Sequence, residues 1–345
     1  MKTVYSPRHA LQDAQIEFIR GKSVPSFEMP QRAELVLERI KAVALGPVVE
    51  PGSFGLEPLL AVHDPDFVEF LSTIWETWSA ESGQIDAFPN AWPPPRSRRI
   101  RTKRPGAELG RYCIDMSSPI MAGTWTAVTS AADAALTATE IAAGPERMAF
   151  ALCRPPGHHA GRDYFGGYCF INNAAVAAQN LVDRGARRVA VLDVDYHHGN
   201  GTQDIFYERA DVLVASIHAD PETEYPYYSG YADETGDGPG EGFNLNVPLA
   251  WGSAYGEYKP ALDTALARIA AHGTEALVVS LGVDTFDGDP ISRFKLQNAD
   301  FLSMGRAIAS LGVPTVFVME GGYAVADIGV NTVNVLTGFE DVIGS

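Results

Sequence analysis

The chain has 345 residues, 46% of them apolar, and a formal net charge of -17. That length fits one large α/β domain or two smaller ones, with enough apolar residues for a sizeable core. The acidic balance argues against nucleic acid as the main partner; it suits a cationic small substrate, and plain solubility accounts for it equally well.

Three sparse cysteines, Cys113, Cys153 and Cys169, do not read as a disulfide framework. The first residues lack the apolar core of a signal peptide, and no apolar run reaches membrane-spanning length. The expectation is a cytoplasmic protein without a membrane partner.

In chain order, residues 3–5 can form a short first strand. Helical spacing at 31–45 (Leu35, Val36, Leu37, Ile40, Val43, Leu45) ends near Gly46 and Pro47. A second helix is expected over 64–80, burying Phe67, Val68, Phe70, Leu71, Ile74 and Trp78. Residues 83–106 break the rhythm. Trp92-Pro93-Pro94-Pro95 precedes six basic residues between Arg96 and Arg104. A loop this long in a compact domain is usually functional or disordered. It could meet nucleic acid or an acidic partner, and reads more simply as a solvated or subunit-facing loop on an acidic body.

An alanine-rich helix follows over 124–143. From Met148 strands and helices alternate, which argues for a parallel sheet. Strands are expected at 148–152, 189–194, 212–217, 276–281 and 315–319, and helices at 172–184, 255–272 and 300–311. With no internal repeat and no linker, the chain reads as a single α/β domain over 1–345, interrupted by the Pro/Arg-rich insertion loop at 83–106.

Four of these strands end in chemistry. Asp195 and His197 follow the strand at 189–194, two residues apart in extended chain, so both side chains point the same way. An Asp oxygen and a His nitrogen converging on one side can begin a divalent metal site, or can be a satisfied polar strand end. Cys153-Arg154-Pro155-Pro156-Gly157-His158-His159 follows the strand at 148–152, Gly282-Val283-Asp284 that at 276–281, and Glu320-Gly321-Gly322-Tyr323 that at 315–319. In an open parallel sheet such ends converge on one crevice.

Asp195, His197 and Asp284 then give three ligands with open positions, the catalytic form of a zinc site. His158 and His159 supply acid–base chemistry, with Asp193 and Asn200 as acceptors that fix their tautomers. Tyr323, on a Gly-Gly turn, can aim its hydroxyl at a developing oxyanion. Together these parts suit metal-assisted hydrolysis of an amide.

The segments 154–159, 166–173 (Gly-Gly-Tyr-Cys-Phe-Ile-Asn-Asn), 193–202 and 320–323 resemble the histone deacetylase superfamily of the arginase-deacetylase fold, and above all its acetylpolyamine amidohydrolase branch. Residues 225–234 and the 83–106 loop resemble that branch too, whereas the Phe-Pro-Gly-Thr-Gly segment of protein-lysine deacetylases is missing. The resemblance implies an open, mostly parallel sheet flanked by helices on both faces. It implies removal of acetyl groups from acetylated polyamines by a homodimer.

By the same resemblance, Asp195, His197 and Asp284 bind zinc, with Fe(II) the alternative. His158, His159 and Tyr323 are catalytic, with His159 the general base. Tyr168 and Tyr225 line a substrate tunnel, and a structural potassium sits near Asp193, Asp195, His197, Ser216 and Ile217. Asn200 departs from the Asp of many eukaryotic relatives. The family also needs an acid for the distal ammonium: Glu17 first, then Glu108 and Asp115. The rival readings are an acetyl-lysine deacetylase, a non-catalytic binder of acylated amines, and an acidic scaffold with a nucleic-acid loop.

Overall fold

The computed structural model describes residues 1–19 and 21–344. Eight strands form one sheet: β1 (Lys2–Val4), β4 (Val48–Val49), β5 (Met148–Ala151), β6 (Val189–Asp193), β7 (Val212–Ala219), β8 (Asn244–Leu249), β9 (Ala276–Leu281) and β10 (Thr315–Met319). Their order is β4-β1-β5-β10-β9-β6-β7-β8, and every neighbouring pair runs parallel. A separate antiparallel hairpin joins β2 (Ile16–Ile19) to β3 (Lys22–Pro25).

β6, β7, β9 and β10 are buried along their whole length. That is why their sequences are largely apolar: a parallel sheet is covered on both faces. One cover is α5 (Thr124–Ala143) with α6 (Asn173–Asp183), which pack on β5, β1, β6, β9 and each other. The other runs in series through α1 (Gln31–Ala42), α10 (Ile328–Ile343), α9 (Asn298–Ala309) and α8 (Tyr255–His272), the last on β7 and β8. Local signals set the helix ends. The Asn172 side chain caps α6 by accepting from the Ala175 N–H, and α8 stops at Gly273 in the left-handed region. The shorter helices are α2 (Glu57–Leu60), α3 (Pro65–Ser82), α4 (Pro105–Tyr112) and α7 (Asn200–Phe206).

The expected strands and helices are present, those at 124–143, 255–272, 276–281 and 315–319 with the expected ends and the rest shifted by at most three residues. Sequence reading did not mark β2, β3, β4, β8, α2, α4, α7 or α10. The long loop ends at Arg104, where α4 begins. Three of its basic residues bond within the chain: Arg101 to Glu69, Arg104 to Glu81, and Arg99 to the Arg111 carbonyl.

Candidate active site

β5, β10, β9 and β6 are consecutive in the sheet. Their carboxyl ends therefore deliver residues 154–159, 320–323, 282–284 and 193–200 to one crevice. At its floor, ligand atoms of Asp195, His197 and Asp284 lie within 4.8 Å of one another. His197 Nδ1 stands 3.2 Å from Asp284 Oδ2 and 3.5 Å from Asp195 Oδ1. Backbone amides hold both carboxylates: Asp195 accepts from His197 and Gly321, and Asp284 from Tyr196. Gly321 is required here, since a Cβ would overlap Asp284 and crowd Asp195.

Burial, then the charge of Asp195, pushes the Asp284 carboxyl up to about 7. Two buried carboxylates facing one another leave negative charge that a divalent cation between them would neutralise. The donor set, two oxygens and one nitrogen, fits such an ion.

His158 and His159 stack beside this cluster, ring centroids 4.0 Å apart, in different surroundings. His158 Nδ1 faces Asp193 Oδ2 at 3.0 Å. Burial disfavours its charge, but the Asp195 and Asp193 carboxylates raise it to about 10. His159 Nδ1 faces Asn200 Oδ1 at 2.7 Å. Asn200 spends its amide N–H groups on the His159 carbonyl and Tyr164 Oη, which leaves Oδ1 as the acceptor. Burial, then the charges of His158 and His197, hold His159 well below the usual histidine range. The two rings thus differ in role by environment: one cationic, one neutral with Nε2 free as a base.

Above them opens a cavity of about 620 Å³, lined among others by Glu17, Asp115, His159, Tyr168, Glu224 and Tyr323. Tyr323 is buried and its ring lies 5.5 Å from that of Tyr168. Burial keeps its hydroxyl protonated far above neutrality. Asp289 Oδ2 takes the N–H groups of Tyr323 (2.6 Å) and Ala324 (3.2 Å), so the turn is held from below. Arg32 donates to the Gly322 and Glu320 carbonyls, both at 2.6 Å, and lies 4.6 Å over the Tyr323 ring.

A histone deacetylase domain model matches residues 26–339. The chain belongs to the histone deacetylase family. It is therefore a deacetylase-type amidohydrolase, and the family implies a metal for the Asp195, His197 and Asp284 cluster. Acetylpolyamine amidohydrolase 2 of Pseudomonas aeruginosa is 56% identical over 342 residues, covering 99% of both chains. Acetylpolyamine amidohydrolase of Mycoplana ramosa is 51% identical, covering 94% of this chain and 95% of its own. The crystal structure of acetylpolyamine aminohydrolase from Burkholderia pseudomallei superposes with a TM-score of 0.95 at 39% identity, covering 99% of each chain.

Within this deacetylase frame, most of the residues read from sequence sit on the crevice floor or its wall. Asp195, His197, Asp284, His158, His159, Asp193, Asn200 and Tyr323 meet at the crevice floor. Tyr168, Tyr225 and Glu17 line its wall. The Tyr225 ring stands perpendicular to His159, centroids 4.9 Å apart, with its hydroxyl on Asp115. Tyr168 Oη donates to Glu17 Oε2, and the Phe27 N–H to Glu17 Oε1. Ser216 pairs with Asp193 across β6 and β7, and its hydroxyl meets His218.

Glu108 is the exception. It lies in α4, bonded to Thr102 and Arg111, and does not line the cavity. Its arginine partner, three residues on, consumes the charge that sequence reading had offered to a substrate. Glu224, Asp289 and Arg32 were missed; their spacing to the motifs carries no local signal.

Proposed function

We propose that this chain hydrolyses the acetyl amide of acetylated polyamines, such as acetylputrescine, acetylcadaverine and acetylspermidine, to acetate and the free amine. The observation that carries the reading is the wall above the catalytic floor, where Glu17, Asp115 and Glu224 bring three acidic side chains to one cavity. Such a wall suits a substrate with an amide at one end and an ammonium at the other. The acetylpolyamine amidohydrolases it resembles support the same substrate class.

Asp195, His197 and Asp284 would hold zinc, with Fe(II) the alternative for the same donors. Bound there, the ion would polarise the substrate carbonyl and acidify a water. Tyr323 Oη donates a hydrogen bond to the carbonyl oxygen as charge develops on it. His159, neutral and oriented by Asn200, takes the proton from the attacking water and passes it to the departing nitrogen. His158, held by Asp193, stays cationic and stabilises the growing negative charge. Tyr168 and Tyr225 exclude water from the acyl end, and Glu17 receives the distal ammonium.

A structural potassium among Asp193, Asp195, His197, Ser216 and Ile217 belongs to this reading, supported by the Asp193–Ser216 pairing. So does a homodimer about the 83–104 loop, which exposes Ile85, Trp92 and Ile100. A cytoplasmic setting is also part of it; no helix among the described residues is long and apolar enough to cross a membrane.

The test is acetate release from acetylputrescine, acetylcadaverine, the acetylspermidines and an acetyl-lysine peptide, with zinc, after chelation, and in Tyr323→Phe. Chelator-sensitive turnover of the small amines, cut about 100-fold in kcat by Tyr323→Phe, is expected. Equal or better turnover of the peptide would move the substrate to acetyl-lysine. No turnover with metal bound would overturn the reading.

A further inference from the structure

Glu320 closes β10 and is completely buried. Its Oε2 accepts from two consecutive amides, Gly157 N–H at 2.6 Å and His158 N–H at 3.1 Å. Its Oε1 has no hydrogen-bond partner among the described residues. A buried carboxyl left half satisfied is costly, and an apolar residue of similar size would be cheaper if only packing mattered. The amides it holds open the turn that carries both tandem histidines. The same turn is held from the opposite side, where the Gly201 and Thr202 N–H groups at the start of α7 donate to the His158 carbonyl. The His158 peptide is thus bracketed, N–H by β10 and C=O by α7. His159, the next residue, stands where that bracket puts it.

We propose that Glu320 is a positioning residue: it clamps the backbone of residues 157–158 so that His159 reaches the reacting water over the Asp195, His197 and Asp284 cluster. The inference rests on the hydrolytic reading, because it is the proton-transfer role of His159 that the clamp serves. A displacement of about 1 Å at a catalytic group costs on the order of 100-fold in rate. Glu320 does not line the cavity, so its loss acts on kcat and leaves substrate binding alone.

The experiment compares wild type with Glu320→Leu and Glu320→Gln, at equal metal content, by acetate release from acetylputrescine and by residue-resolved amide hydrogen exchange. Leucine removes the acceptor at similar volume; glutamine keeps one oxygen in place. Glu320→Leu is expected to lose about 30- to 100-fold in kcat with KM within about twofold, and Glu320→Gln to stay within about threefold of wild type. Exchange at Gly157 and His158 should be slow in wild type and Glu320→Gln, and at least about tenfold faster in Glu320→Leu.

Retained kcat in Glu320→Leu would overturn the clamp. An equal loss in Glu320→Gln would also overturn it, since the negative charge and not the hydrogen bonds would then matter. If Glu320→Leu does not fold, Glu320→Ala deletes the same acceptor without added bulk. Wild type that turns over no acetylamine would sink the hydrolytic reading instead. Exchange still decides the clamp in that case: equal rates at Gly157 and His158 in all variants would refute it.

Discussion

Glu28 places one carboxylate between two buried guanidinium groups. Arg32 Nη1 donates to its Oε1 at 2.7 Å, and Arg154 Nε lies 2.8 Å from the same oxygen as an ion pair without good hydrogen-bond alignment. All three side chains are at most 5% exposed. Glu28→Gln keeps the shape and removes the charge, leaving two buried cations with carbonyl partners and, for Arg32, the Tyr323 ring. Breaking one side of a buried ion pair costs about 3–5 kcal/mol, and a charge-assisted hydrogen bond alone about 2 kcal/mol, so about 4 kcal/mol is expected here. A chain of this length unfolds with an entropy of about 0.7 kcal/mol/K, which converts the loss to a Tm drop of about 5–6 °C.

Calorimetry at matched metal content measures it, with Glu69→Gln as the control. Glu69 pairs with Arg101 at 3.1 Å in the open, both side chains more than half exposed, and should move Tm by less than about 1 °C. A Glu28→Gln drop no larger than the control would refute the view that this anion neutralises the buried arginines. Because Arg32 also grips the Glu320 and Gly322 carbonyls, kcat should fall along with Tm.

Acid should unfold the protein partly through His63. Its Nδ1–H donates to the Gly161 carbonyl at 2.8 Å and its Nε2 accepts the Asn172 N–H at 3.0 Å, so the folded ring is neutral. Burial, outweighing the hydrogen bond to the Gly161 carbonyl, lowers it to about 4, whereas the unfolded ring titrates near 6.5. The unfolded state binds the proton first. The His63 contribution is therefore intact above pH 6.5 and falls away between 6.5 and 4, up to about 3 kcal/mol. Denaturant titrations across that window should show the slope in wild type and a shallower one in His63→Asn; identical slopes would count against it. Gly167 sits at φ +55, where an added Cβ would overlap the His159 ring. Gly167→Ala should cost at least about tenfold in kcat. Gly83→Ala, at φ +83 with open space around it, should cost only about 1 kcal/mol of stability and no activity. Equal kcat losses in the two would show that crowding at His159 is not the cause.

The central strands were legible because burial on both faces writes them as largely apolar runs. β8 was not: Asn244-Leu-Asn-Val-Pro-Leu alternates polar and apolar residues and carries Pro248, as an edge strand can. α10 hides behind valines, threonines and two glycines that favour other structures in isolation. Gly338 is there because α9 passes so close that a Cβ would overlap the Leu302 carbonyl, a tertiary reason invisible locally.

At the site, Asp195 with His197 and the His158–His159 pair could be read because each is contiguous. Their assembly with Asp284 and Tyr323 followed from strand ends in a parallel sheet. The grips of Asp289 and Glu320 on backbone amides, and of Arg32 on carbonyls, join residues far apart in the chain. They obey no spacing rule. Glu17 looked like one acid among three; what singles it out is the Tyr168 hydroxyl bonded to it across 151 positions.

The strand order has a consequence for how the molecule comes into being. The four strands that meet at the crevice are neighbours in space, but β10, made after the other three, is inserted between β5 and β9. A growing or truncated chain that lacks β10 leaves a gap through the middle of the sheet rather than a shortened edge. Pairings of such long sequence separation form late and slowly. Competence for chemistry should arrive in one step, with the closing of that gap, and partial chains should present open strand edges that invite association before any of them can act on a substrate.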